Sequence, residues 1–277
     1  MTGRAGYDSI LKNEGDLKMA VDFDLKGKHV IVTGGTRGIG RGMAEGFAAA
    51  GCKTVFVGSN RAKLDEVVAE NNAKGYDCYA VSGDLTDISA MDKIFDECME
   101  KLDGIIDVVV TAAGIQYRCE PEQFPLEEFL KVQRINVVHC YRFAQRAAEI
   151  MLKQEGRGNG KIILVGSLGC FTVGHNISAY STSKGAILQM TKALAEGLAN
   201  RDGKTINVNC ICPGYVNTEM IKTLPPEKYN AIPTKIPMGR IAEMEDMVQP
   251  TLFLASAASD FITGETILVD GGQGAIH

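Results

Sequence analysis

The sequence predicts an α/β fold: a single-domain, doubly wound parallel sheet of about seven strands with helices on both faces. Short apolar runs rich in β-branched residues alternate with longer amphipathic segments along the whole chain. Alternation carried from end to end argues for a mostly parallel sheet covered on both sides. No Pro/Ser linker and no internal repeat divides the 277 residues, a length at which one α/β domain buries a substantial core.

The strands are expected at 29–33 (HVIVT), 54–58 (TVFVG), 78–82 (CYAVS), 108–111 (VVVT), 161–166 (KIILVG), 206–211 (INVNCI) and 266–270 (TILVD). Helices are expected near 39–50, 61–73, 87–101, 126–153, 179–200 and 244–256. The stretch PPEKYNAIPTKIPMG (225–239) is the richest in proline and interrupts the last strand–helix unit, so it reads as a flap or small helical insertion within about 215–243. Residues 1–24 precede the first strand and read as an N-terminal arm.

Composition excludes several function classes. The net charge is −5 and no basic run is present, which leaves no footprint for nucleic acid or an anionic membrane. No apolar run approaches the ~18 residues of a membrane span, and the polar first twenty residues lack the apolar core of a secretory signal. Eight cysteines are scattered without a CxxC pair, as reduced core thiols of a cytoplasmic protein would be. His29, His139, His175 and His277 stand apart from any HExxH or CxxC pattern, so no metal is expected.

The segment VTGGTRGIGRGMA (32–44) follows a strand and opens a helix. Gly34, Gly38 and Gly40 allow a tight turn and the approach of a pyrophosphate to bare backbone at a helix N-terminus. Thr36, Arg37 and Ile39 complete this turn. The spacing is Gly-x-x-x-Gly-x-Gly, and its place at the first βα junction makes a dinucleotide the expected ligand. NAD-selective proteins of this architecture hold the ribose diol with an acid at the end of the second strand. Here Val55 to Arg61 contains no acid and offers Ser59, Asn60 and Arg61, with Arg37 from the turn. These groups suit a 2′-phosphate, so NADP is favoured, with NAD as the alternative.

In AYSTSKGAI (179–187), Tyr180 precedes Lys184 by one helical turn, with Ala179, Ser181 and Ser183 leaving room around them. Lowering the pKa of a phenol from about 10 by two units takes roughly 2.7 kcal/mol. A positive charge ~4–5 Å away in an effective dielectric of ~20 supplies about 3–4 kcal/mol. Such a phenol can take a proton from an alcohol as hydride leaves, or return one to a carbonyl.

Other segments keep company with this pair. GDL contains Asp84 and Leu85, TAAG (111–114) ends the fourth strand, RINVVHCY places Asn136 in a helix, and LVGS ends the fifth strand at Ser167. CPGYVNT follows the sixth strand, and VDGG lies near the end. Together, over about residues 25–272, these segments resemble the short-chain dehydrogenase/reductase family. The resemblance implies a Rossmann-like dinucleotide-binding catalytic domain over 25–277. It gives Tyr180 the role of general acid/base and makes Lys184 the group that lowers its pKa and binds the nicotinamide ribose. Ser167 would hydrogen-bond the substrate oxygen. Asn136 would hold, through its backbone, a water that links Lys184 to solvent. Asp84 and Leu85 match the adenine-contacting pair, Ala112, Ala113 and Gly114 the loop after the fourth strand, and Pro213, Gly214, Val216 and Thr218 the segment flanking nicotinamide. One departure stands out: Thr111 occupies the position of the usual asparagine, with an expected effect on local stability.

The stretches 23–28, 114–124 and 156–167 resemble the gluconate 5-dehydrogenase and 2-deoxygluconate 3-dehydrogenase branch, which implies a sugar acid or related polyol or keto acid as substrate. Arg118 could pair with a substrate carboxylate, while His175 and Asn176 could bond hydroxyls. The alternative is a steroid or other lipophilic ketone, received by Tyr215, Met220, Ile221, Leu224 and Met238 around the flap. A non-catalytic, cofactor-binding regulatory protein is a third reading, against which the intact Asn–Ser–Tyr–Lys set argues. Relatives in the family imply a homotetramer or dimer that pairs the long helices.

Overall fold

The structure is a computed structural model that describes residues 23–222 and 224–275. Residues 1–22, most of the expected arm, and the side chain of Met220 lie outside the described residues. Phe23 already packs on Phe253, with ring centroids 6.3 Å apart, and Leu25 is buried in the core.

In chain order the elements are β1 (His29–Thr33), α1 (Gly38–Ala49), β2 (Lys53–Gly58), α2 (Arg61–Asn72), β3 (Cys78–Ser82), α3 (Ile88–Lys101) and β4 (Val108–Thr111). There follow α4 (Leu126–Gln133), a π-helical turn (Arg134–Val138), α5 (His139–Met151), β5 (Gly160–Val165), α6 (Ser178–Leu198) and β6 (Ile206–Pro213). The chain then forms α7 (Glu219–Lys222), α8 (Pro226–Asn230), α9 (Met244–Ala255) and β7 (Thr266–Val269). The sheet order is β3-β2-β1-β4-β5-β6-β7, and every pairing is parallel. All seven expected strands form, and the doubly wound architecture is borne out.

Alternation along each strand sends successive side chains to opposite layers. Ile31, Val55, Val109 and Ile162 face one layer, where Phe95 of α3, Phe143 of α5 and Ile187 of α6 close the core. Val30, Val32, Phe56, Val110 and Ile163 face the other, beneath Phe47 of α1, Leu64 of α2 and Met247 of α9. Helices α1 and α9 meet closely because α1 carries glycine there: a Cβ at Gly46 would lie 2.4 Å from Val248 Cγ1. In the segment 215–243, Ile232, Ile236 and Ile241 pack with Tyr215, Ile221, Leu224 and Tyr229 as a small separate cluster.

The helix expected over 126–153 is interrupted by the π-helical turn at Arg134–Val138. Asn136 sits in that turn, fully buried, and its side chain bonds elements outside the helix. Widened turns of this kind are frequent at functional sites. The strand order reverses between β1 and β4, which opens a crevice at the carboxyl ends of the strands, where ligands bind in open α/β sheets.

Candidate active site

The glycine turn is built by close approach. Gly34 has φ +76°, and a Cβ on it would lie 2.9 Å from Ala113 N, so the turn after β1 packs against the loop after β4. A Cβ at Gly40 would meet Gly34 O at 2.5 Å. Ala113 N donates to Thr33 Oγ1 at 3.1 Å, and His139 Nε2 is hydrogen-bonded to the same hydroxyl at 3.0 Å. Arg37 occupies the N-cap of α1 in extended conformation without a side-chain cap, which leaves backbone donors of the first turn open to an anion. Thr111 is buried, and its hydroxyl has no well-formed hydrogen bond among the described residues.

The turn forms one wall of a cleft of about 460 Å³, a size typical of ligand sites. Gly34, Thr36, Arg37, Gly38, Ile39 and Gly40 line it, with Ser59, Asp84 and Leu85 at one end. Ala112, Ala113 and Gly114 line its middle; Ser167, Tyr180, Lys184, Pro213, Gly214, Val216 and Thr218 complete the other end. Asp84 Oδ1 accepts from the backbone N–H and the hydroxyl of Thr86, both at 2.8 Å, which fixes the turn after β3.

Lys184 is buried, its ammonium donates to Val165 O at 2.7 Å, and Nζ lies 5.6 Å from the Tyr180 ring centroid. Ser167 caps the 3-10 turn Leu168–Cys170, its Oγ accepting from Gly169 N at 3.0 Å. A Cβ on Gly169 would touch both Ser167 Oγ, at 3.4 Å, and Tyr180 Cε1, at 3.5 Å, so glycine lets the two side chains face one space. Asn136 accepts from Ile115 N at 2.9 Å through Oδ1 and donates through Nδ2 to Ile115 O at 3.0 Å and Ser183 Oγ at 2.9 Å. Ser183 Oγ donates in turn to Tyr180 O at 2.7 Å. The backbone carbonyl of Asn136, the expected water site, accepts from Cys140 Sγ at 3.3 Å.

Two of the residues expected to recognise a 2′-phosphate face elsewhere. Asn60 is the N-cap of α2, its Oδ1 accepting from Lys63 N, and the exposed Arg61 pairs with Asp65 at 2.8 Å; neither lines the cleft. Arg37 and Ser59 are exposed at its edge, and Arg37 enters no ion pair among the described residues. Of the residues expected at the substrate, Arg118 donates to His175 O at 3.0 Å, and Asn176 Nδ2 donates to Glu120 Oε1 at 2.7 Å. These bonds tie the loop after β4 to the loop before α6, outside the cleft lining. Tyr215 and Met238 line a smaller pocket beside β7, whereas Ile221 lines the main cleft. Gln116, Lys131 and Glu219 also line the main cleft. Gln116 directly follows the strand-end loop and could have been found by extending it. Lys131 is one lysine on an amphipathic helix and carries no local signal.

The family model described as Enoyl-(Acyl carrier protein) reductase matches residues 34–273. The 2-dehydro-3-deoxy-D-gluconate 5-dehydrogenase of Dickeya dadantii (strain 3937) is 35% identical over 253 residues, which cover 90% of this chain and 96% of the relative. The 3alpha-hydroxysteroid dehydrogenase of Mediterraneibacter gnavus is 33% identical over 250 residues, covering 89% and 97%. Among solved structures, a gluconate 5-dehydrogenase from Burkholderia cenocepacia J2315 in complex with NADP and tartrate superposes with a TM-score of 0.83 at 31% identity, covering 92% of this chain and 98% of that one. With a family match across most of its length and relatives this similar end to end, the chain belongs to the short-chain dehydrogenase/reductase family of oxidoreductases.

Proposed function

We propose that this protein interconverts a secondary alcohol and a ketone of a sugar acid, or of a related polyol or keto acid, with preference for NADP(H). The carrying observation is that Tyr180, Lys184 and Ser167 line the same cleft as the uncapped glycine turn. The residues fit a dinucleotide phosphate. A Cβ at Gly34 or Gly40 would strike backbone, whereas one at Gly38 would meet nothing closer than Thr218 Cγ2 at 3.7 Å, so room remains above the turn. Arg37, exposed at the cleft and without an ion pair among the described residues, supports recognition of a 2′-phosphate. The NADP held by the Burkholderia relative supports the same preference.

Bound NADP(H) supplies or accepts the hydride at its nicotinamide ring. Tyr180 takes the hydroxyl proton of the alcohol in one direction and returns it to the ketone oxygen in the other. Lys184 is buried and held on Val165 O, so its charge is weakly screened and stabilises negative charge arriving on the phenol oxygen. Ser167 accepts from Gly169 N, which leaves its O–H free to donate to the substrate oxygen. Asn136 acts as a positioning residue: through Ser183 it holds the first turn of α6, and with it Tyr180.

The sugar-acid assignment is supported by the Dickeya and Burkholderia relatives; the Mediterraneibacter relative supports the lipophilic-alcohol reading. The test is a substrate screen that reads nicotinamide absorbance, with sugar acids and hydroxysteroids each offered with NADP(H) and NAD(H). Turnover of sugar acids at higher kcat/KM with NADP(H) is expected. A clear preference for NAD(H), or turnover confined to hydroxysteroids, would overturn the proposal.

A further inference from the structure

Beneath the floor of the cleft lie three sulfurs that the proposed chemistry does not use. Cys212 Sγ donates to Cys170 Sγ at 3.5 Å, and Cys210 Sγ lies 3.7 Å from Cys212 Sγ. They crowd under Gly166, which lines the cleft: a Cβ there would lie 2.4, 2.9 and 3.0 Å from the sulfurs of Cys212, Cys210 and Cys170. Among the described residues no group of three or more His, Cys, Asp or Glu side chains is arranged to hold a metal ion.

The three thiols differ in burial and in the element that carries them. Cys210 and Cys212 are buried on β6, two residues apart. Two steps of a strand separate their Cα atoms by roughly 6.4–6.8 Å, the far end of the span a disulfide bridges. Cys170, by contrast, is half-buried on the 3-10 turn that Ser167 caps, and its thiol donates to Lys184 O at 3.1 Å. A hydrogen bond from Cys212 and the nearby Lys184 charge outweigh burial and bring the Cys170 thiol down to about 7. Cys170 is therefore the thiol held toward its ionised form and the least buried of the three, and Cys212 is the buried partner in contact with it.

We propose that Cys170 and Cys212 form an oxidative modification site, in which a hydroperoxide links them as a disulfide and the link stops turnover by pulling the turn that carries Ser167. The Cys170 thiolate attacks one oxygen of hydrogen peroxide; the S–O bond forms as the O–O bond breaks, leaving a sulfenic acid and, after protonation, one water. The Cys212 sulfur then attacks Cys170 sulfur; the S–S bond forms, the S–O bond breaks, and the second water leaves with the Cys212 proton. Two thiols are oxidised to one disulfide, and one peroxide is reduced to two waters. The sulfurs must close from 3.5 Å to about 2.05 Å. Loss of the thiol proton removes the bond from Cys170 to Lys184 O, and the closing movement shifts the turn three residues from Ser167.

The effect on turnover rests on the dehydrogenase reading, whereas formation of the link does not. The full-length protein is treated with hydrogen peroxide, and both peptide mass and hydride-transfer rate are followed. A cross-linked peptide pair containing Cys170 and Cys212 is expected, lighter than the two free peptides by two hydrogens. The rate should fall at least about tenfold, since a displacement near 1 Å at a reacting centre can cost about a hundredfold, and dithiothreitol should restore it. Cys170→Ala should keep its rate under peroxide, whereas Cys210→Ala should remain as sensitive as the parent. Absence of the Cys170–Cys212 peptide, a cross-link that leaves the rate unchanged, or equal sensitivity in Cys170→Ala would each overturn the proposal.

Discussion

Lys184 is a buried cation with donors to spare. Its ammonium is held by a single carbonyl, Val165 O at 2.7 Å, and a Cβ on Gly114 would lie only 3.9 Å from Nζ. Three donors sit on this nitrogen, so bonding capacity remains for groups in the cleft. Arg37 is the cation the proposed function assigns to the 2′-phosphate. It is exposed at the edge of the cleft, whereas Arg41 is committed to Glu45 and Glu70 and Arg61 to Asp65. A charge-assisted bond to a 2′-phosphate contributes about 1.5–3 kcal/mol. Arg37→Ala should therefore lower kcat/KM for NADPH by about tenfold or more, with a change below about twofold for NADH. Steady-state kinetics with both cofactors check this, and parallel losses with the two would remove Arg37 from phosphate recognition.

The elements owe their contacts to small residues at chosen places. Helix propensity alone makes Gly46→Ala stabilising by about 1 kcal/mol. The Cβ would press on Val248 Cγ1, however, and a β-branched side chain has little freedom at χ1 to yield. Overpacking of this kind costs about 1–3 kcal/mol, so denaturant unfolding should show Gly46→Ala less stable than the parent, with Val248→Ala restoring it in the double variant. The strands were legible in the sequence because hydrophobic runs of the right length are a local property, and their ends fall within two residues of expectation. The break at Arg134–Val138 was not legible. It depends on Asn136 reaching Ile115 and Ser183, contacts 21 and 47 residues away in sequence. The placing of Arg118 was illegible for the same reason: residue type suggested a substrate-binding cation, and in the fold its side chain joins the loop after β4 to the loop before α6.

At the scale of the molecule, the parallel sheet brings the carboxyl ends of β1, β2, β4, β5 and β6 to one rim, where the order reverses between β1 and β4. This is why residues between Gly34 and Thr218, distant in sequence, line one cleft. Most of that cleft could be read from the chain, since most contributing segments follow a recognisable strand and Tyr180 and Lys184 share one turn of a helix. Lys131 and the His139–Thr33 contact could not, because helix packing sets them. On the proposed function, proton transfer at Tyr180 is separable from holding the cofactor at the glycine turn. Single-turnover hydride transfer and NADPH affinity measured on Tyr180→Phe test it most directly. Affinity within about threefold of the parent is expected, with a rate lower by about a hundredfold to ten-thousandfold; a rate equal to the parent's with the cofactor still bound would remove Tyr180 from the proton transfer.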